Sequence, residues 1–185
     1  MKSLVSILAF FAGATGFSNT MRILGPRRRG TLFVSFLAQT VLLVVAVALI
    51  QADLIPHGTA DTNSLTAGPL FLELVPIALL AFQSAGSIAA TRALGFNEIP
   101  SVVLTSVYFD LASDPALLRV PAAANVKRNR RAGAVVLLLA GGIAGGWLSR
   151  SSGGMESALW ISAGIKAVVG LGWLGWRGEE EETLP

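Results

Sequence analysis

Few side chains in this chain of 185 residues can do chemistry, and one stands out by its place. Lys166 lies near the middle of an otherwise almost apolar stretch, residues 157–176. A charge at the centre of a bilayer costs at least about 2.5–3.5 kcal/mol, so such a lysine either snorkels to the interface or faces a partner or a water-filled cavity. Snorkelling on a shifted helix is the plain reading, and a paired charge lining a cavity is the functional one. The candidate partners are Asp110 and Glu73. Asp110 is preferred because it sits on a short segment expected to dip towards the bundle centre.

The neutral polar residues form a second group. Ser84, Ser87 and Thr91 follow helical spacing along one face, with Gln83 at its edge. Interhelical hydrogen bonding accounts for such a face, and so does the polar wall of a substrate path. Thr105, Ser106 and Asp110 add polar groups on the short segment. The substrate-binding set read from the sequence is therefore Gln83, Ser84, Thr105, Asp110 and Lys166.

Other chemistries are excluded or unsupported. The chain has no cysteine, which removes disulfides, thiolate zinc sites and thiol catalysis. Its one histidine, His57, argues against a histidine metal site. No P-loop, G-x-S-x-G, H-E-x-x-H or dinucleotide fingerprint occurs. The expectation is a protein that is not an enzyme and holds no cofactor or metal. The net charge of +3 could suggest nucleic acid, but the basic residues cluster between apolar runs, where they act as topology signals.

The elements that must position these residues are membrane spans. Of the chain 53% is hydrophobic and only 14% charged, against about 25% charged in soluble domains. Residues 3–21 and 30–52 carry no charge, and each is long enough to cross a hydrocarbon core of about 30 Å. Residues 70–91 form a third run, with Glu73 near one end and Pro76 in its first turns. Residues 132–149 form a fourth and residues 157–176 a fifth. Residues 99–118 differ: Pro100 and Pro115 bracket them and Asp110 interrupts them, so this stretch reads as a re-entrant or interfacial segment. An Ala12-Gly13-Ala14 stretch admits a signal-peptide cleavage site, but the uncharged run continues past it into an arginine cluster that reads as a stop.

Charge sets the orientation. Nine of the 14 basic residues lie in two loops, at 22–29 and 119–131, while the loop between the second and third runs has Asp53 and Asp61 and no Lys or Arg. The positive-inside rule puts the two basic loops in the cytoplasm. Five crossings then alternate, with the N-terminus outside and the acidic tail, residues 179–185, cytoplasmic. This works only if residues 99–118 do not cross.

Small residues mark contact faces between membrane helices. They recur as Ala12-x-x-x-Gly16, as Ala81-x-x-x-Ala85-x-x-x-Ala89, and as Gly141-x-x-x-Gly145 with Gly142-x-x-x-Gly146. The last is the strongest and is expected inside a tight bundle or at a homo-oligomer face through Gly141 and Gly145. Aligning the first run with the fourth pairs Gly13 with Gly141 and Arg22 with Arg150, and the second run then falls on the fifth. The copies would lie in opposite orientation, as in an inverted-topology repeat, although any two Gly/Ala-rich helices align this well. Trp147, Trp160, Trp173 and Trp176 are expected as interface anchors.

The stretches Ala81-Phe82-Gln83-Ser84 and Val102-Val103-Leu104-Thr105-Ser106, followed by Asp110-Leu111-Ala112-Ser113-Asp114, resemble the YoaK-like family, domain of unknown function 1275. Leu24-Gly25-Pro26-Arg27-Arg28-Arg29-Gly30 and Lys127-Arg128-Asn129-Arg130-Arg131 resemble its fungal-type members. The resemblance covers nearly the whole chain. It implies a polytopic, all-helical membrane protein of about six spans and brings no substrate, reaction or cofactor. Against the family pattern the chain starts at what would be the second span. The resemblance supports the repeat.

The resulting expectation is an all-α, polytopic transmembrane bundle forming one domain over residues 1–178. It has five spans (about 3–22, 30–52, 69–92, 131–149 and 156–176) plus a short segment at 99–118. The leading function is a transporter-like permeation protein for a small solute, in a membrane the sequence does not specify. The alternative is a non-transporting scaffold or assembly protein that packs through its Gly/Ala-rich faces. The lipid bilayer is the expected partner, and nucleic acid is not.

Overall fold

The computed structural model describes residues 1–52, 67–96, 104–113, 125–151 and 153–175; within these, the side chains of 67–71, 104–106 and 110 are not described. Six helices and no strand occur among the described residues: α1 (Lys2–Leu24), α2 (Arg29–Gln51), α3 (Ala67–Ala93), α4 (Leu104–Ala112), α5 (Val126–Ser149) and α6 (Gly154–Gly175). Five of them are long and apolar enough to cross a membrane. At 1.5 Å per residue each reaches at least about 30 Å, whereas α4, with nine residues, reaches only about 14 Å and cannot span.

Local chemistry explains the ends. α1 stops at Gly25, whose φ of 92° is open to glycine and strained for other residues. The Thr31 hydroxyl then donates to the Leu24 carbonyl at 3.2 Å, so the start of α2 caps the end of α1. α5 starts earlier than the apolar run, because the Asn125 side chain accepts from the Arg128 backbone N–H at 3.0 Å. The basic residues 127–131 therefore ride on the first turns of α5 and not in a loop. α3 runs on through Pro76, which lies well inside it. Membrane helices tolerate such a proline because neighbouring groups satisfy the freed carbonyl.

The helices form a row. α1 packs on α3, α3 on α2, α2 on α6, α6 on α5 and α5 on α4, with a lighter α1–α2 contact. α3 and α6 flank α2, and no Cα of one comes within 8 Å of a Cα of the other among the described residues. Gly13 faces Phe82 while Lys2 pairs with Glu73, so α1 and α3 run parallel. Phe36 faces Gly170 and Gln51 accepts from Trp160, so α2 and α6 run antiparallel. α6 begins soon after α5 ends and packs back against it, so the chain reverses direction between them. The ends of α1 and α3 and the start of α5 thus share one face of the bundle. There the Arg130 guanidinium sits 4.7 Å from the centre of the Phe96 ring.

The best-packed part is the α1–α3–α2 contact. Phe17, Met21, Leu32, Ala89 and Ala90 form a buried cluster, and the Phe17 and Phe82 rings meet tilted with centroids 5.6 Å apart. At Gly13 the Phe82 backbone occupies the place a Cβ would take, so only glycine permits this approach. The buried face of α1 is Gly13, Phe17 and Met21, one position round from the expected Ala12 and Gly16, which are exposed. The outer surface is apolar: Leu137 is 74% exposed, Ile143 75% and Val168 70%. A water-facing surface would not carry this much apolar area, and lipid accommodates it.

Candidate functional site: a lysine shared by three helices

Each long helix contributes hydroxyls that are spent on its own backbone. Ser84 donates to the Ala81 carbonyl at 2.7 Å, Thr91 to Ile88 at 2.9 Å and Thr40 to Phe36 at 2.8 Å. Such bonds satisfy a polar group in an apolar medium without a second helix. A few polar side chains instead reach across helices, and they meet at one place.

That place is Gln39, at the middle of α2 and fully buried. Its Oε1 accepts from the Ser87 hydroxyl of α3 at 2.8 Å and from the Lys166 ammonium of α6 at 2.6 Å. Lys166 also donates to Ser87 Oγ at 2.7 Å, and Gln39 Nε2 donates to Ser35 Oγ at 3.3 Å. The side chain of Lys166 therefore spans the gap between α6 and α3, with Gln39 as the floor. Gly86 makes room for this. A Cβ there would come within 2.8 Å of Gln39 Cδ and Nε2.

An ammonium carries three donors and no acceptor. Two are taken by neutral oxygens, and no carboxylate is among the partners of Lys166 in the described residues. The charge is thus solvated by side-chain dipoles in a partly buried position. The arrangement is a hydrogen-bonded junction of α2, α3 and α6 built around one cation. Among the described residues no group of three His, Asp or Glu side chains could hold a metal ion.

The expected site residues fare differently. Lys166 is at the junction. Gln83 is buried on α3, 9% exposed, and its Oε1 has no hydrogen-bond partner. Ser84 bonds within its own helix, as above. Thr105 and Asp110 fall on α4, where their side chains lie outside the described ones, and α4 packs against α5 alone among the described helices. Of the two expected partners of Lys166, Glu73 pairs with Lys2 instead. The groups that do meet Lys166 are Gln39 and Ser87. Ser87 was legible as part of a polar face, whereas Gln39 and Ser35 were not singled out. Their signal was the spacing of Thr31, Ser35 and Gln39, every fourth residue of an apolar helix and all buried.

Of the two places expected for the glycines of α5, the bundle interior or an oligomer face, the described residues do not supply the first. Among the described residues nothing lies within 4 Å of a Cβ placed at Gly141, Gly142, Gly145 or Gly146. Trp173 packs against the buried cluster, Trp147 is 82% exposed, and Trp160 donates to Gln51 at 3.2 Å. Trp176 lies outside the described residues.

The model of one family, "Protein of unknown function (DUF1275)", matches residues 1–172. The chain belongs to this family. Membership and five membrane-length apolar helices together make it an integral, multi-pass membrane protein. No curated protein and no solved structure matches the chain. The family's description assigns no reaction, so any functional reading rests on the Lys166 junction itself.

Proposed function

We propose that this DUF1275 protein is a transporter-like permeation protein whose solute passes the junction of Lys166, Gln39 and Ser87. The observation that carries the reading is a cation held between three helices by the neutral oxygens of Gln39 and Ser87. Intramembrane ionisable groups are costly and mark solute or proton paths. The reading centres the site on the junction, since the side chain of Asp110 lies outside the described ones, and Gln83, one turn from Ser87 on α3, extends it. α3 and α6 flank α2 and meet each other through the Lys166–Ser87 bond, with their backbones apart, so rocking one of them against α2 would open the junction to either side. The basic end of the bundle faces the cytoplasm in this reading.

The geometry also favours an inverted repeat. When Gly13 is aligned with Gly141, Lys166 corresponds to Ala38, next to Gln39. The antiparallel α2 and α6 therefore cross at nearly equivalent positions, as a two-fold axis in the membrane plane requires. Proteoliposomes test the transport reading. Swelling is followed with formate, acetate, chloride, urea and glycerol. At least one should enter faster than into empty vesicles, and the Lys166→Met variant should lose that entry. No acceleration by the wild-type protein contradicts the proposal.

The second reading is a membrane scaffold or homo-oligomer. The open glycine ladder of α5 favours it, because close-packing helices use such faces. Crosslinking through Gly145→Cys in native membranes distinguishes it, with dimer bands expected only if that face is occupied by a second copy.

A further inference from the structure

A groove of about 600 Å³ runs between α1 and α3, away from the Lys166 junction. Its walls are apolar, with Phe10 and Ala14 on α1 and Ala85 and Ile88 on α3. One end is different. Arg22 in the last turn of α1 and Arg92 in the last turn of α3 both line it, and the parallel run of the two helices brings them to the same depth. Neither guanidinium has an ion-pair partner among the described residues. The groove therefore has a mainly apolar length ending in two cations without a counter-charge among the described residues. These stand at the bundle end that also carries Arg27, Arg28 and Arg29, the level of lipid headgroups.

We propose that this groove binds an anionic phospholipid, with one acyl chain lying along Ala14 and Ala85 and its phosphate held between Arg22 and Arg92. A compact soluble anion would leave most of the groove empty, because beyond the arginines its lining is apolar except for Ser18. The volume is in the range of small-molecule sites. Two guanidiniums supply paired donors to phosphate oxygens, the geometry arginine favours. A generic lipid contact would need no cations at its end.

The test uses the purified full chain in detergent. Equal amounts of dioleoyl phosphatidylglycerol and dioleoyl phosphatidylcholine are added, and retained lipid is counted by native mass spectrometry. The expected result is a preference for phosphatidylglycerol of roughly tenfold, given the attraction of each basic residue near an anionic headgroup. The Arg22→Gln/Arg92→Gln variant should lose the preference, and Arg27→Gln/Arg29→Gln should keep it. Ala14→Phe should lose bound phosphatidylglycerol with both arginines intact. Circular dichroism confirms that each variant is helical. Equal retention of the two lipids overturns the proposal. So does an equal loss in the Arg27/Arg29 variant, which would mean diffuse surface attraction, and so does undiminished binding in Ala14→Phe.

Discussion

Lys166 at the middle of α6 donates to Gln39 at the middle of α2 across 2.6 Å, and this bond ties together two antiparallel membrane helices. It also gives a partly buried charge its shortest hydrogen bond. The stability of the α2–α6 pair and the polarity of the bundle centre therefore depend on the same contact.

Removing the acceptor should cost more than removing the charge. Gln39→Leu leaves the ammonium with Ser87 alone, and the expected loss is about 2–4 kcal/mol. Lys166→Met removes the charge itself and should cost about 1 kcal/mol or less. The double variant should be more stable than the sum of the single losses by about 1–2 kcal/mol. Unfolding of the purified chain in detergent measures all three, and strict additivity would argue against the contact.

Glycines at two aligned positions should behave oppositely. Gly13→Ala places a methyl against the Phe82 backbone and forces α1 from α3, at about 1–3 kcal/mol. Gly141→Ala meets nothing within 4 Å and should be neutral, or stabilise by up to about 1 kcal/mol through helix propensity. Thermal unfolding followed by circular dichroism ranks them. Equal losses at both positions would contradict the difference in packing.

Gly86→Ala should disturb the junction through Gln39. The added methyl would press on the Gln39 amide from 2.8 Å, and a loss of about 1–3 kcal/mol is expected. Gln39→Ala in the same chain removes the obstacle, so the pair should lose less than the two single changes together. The same unfolding measurement reads this, and additive losses would separate Gly86 from the junction.

The proposed orientation, with the basic end of the bundle in the cytoplasm, can be tested from both sides of the membrane. Pro26→Cys, in the α1–α2 turn, should react with an impermeant maleimide only after permeabilisation. Ser151→Cys, in the α5–α6 turn, should react in intact cells. Labelling of both from the same side would contradict five alternating crossings.

Much of this architecture was legible because lipid imposes simple rules. Length without charge marked the five spans, and the brevity of the segment around Asp110 marked it as non-crossing. Lys166 stood out because its cost is high wherever the helix sits. Its partners were hidden for a physical reason. A lysine at membrane depth can be satisfied by neutral oxygens, and Gln39 hardly disturbs the apolarity of α2. Searching for a carboxylate pointed to Asp110 and Glu73; Glu73 pairs with Lys2, the side chain of Asp110 lies outside the described ones, and the described partners are an amide and a hydroxyl. The exact face of α1 was also beyond the pattern, because Ala12, Gly13 and Gly16 are all small and only the approach of Phe82 selects Gly13.

The central claim is that the Lys166 junction is reached by water and solute. Single cysteines introduced as Gln39→Cys, Ser87→Cys and Lys166→Cys in this cysteine-free chain can be exposed to a charged methanethiosulfonate in native membranes. Ala46→Cys and Ala163→Cys, at buried packing positions, serve as controls. The account predicts reaction at Ser87→Cys and Lys166→Cys and protection at both controls. Protection of all three junction positions would mean a dry, purely structural contact and would contradict it.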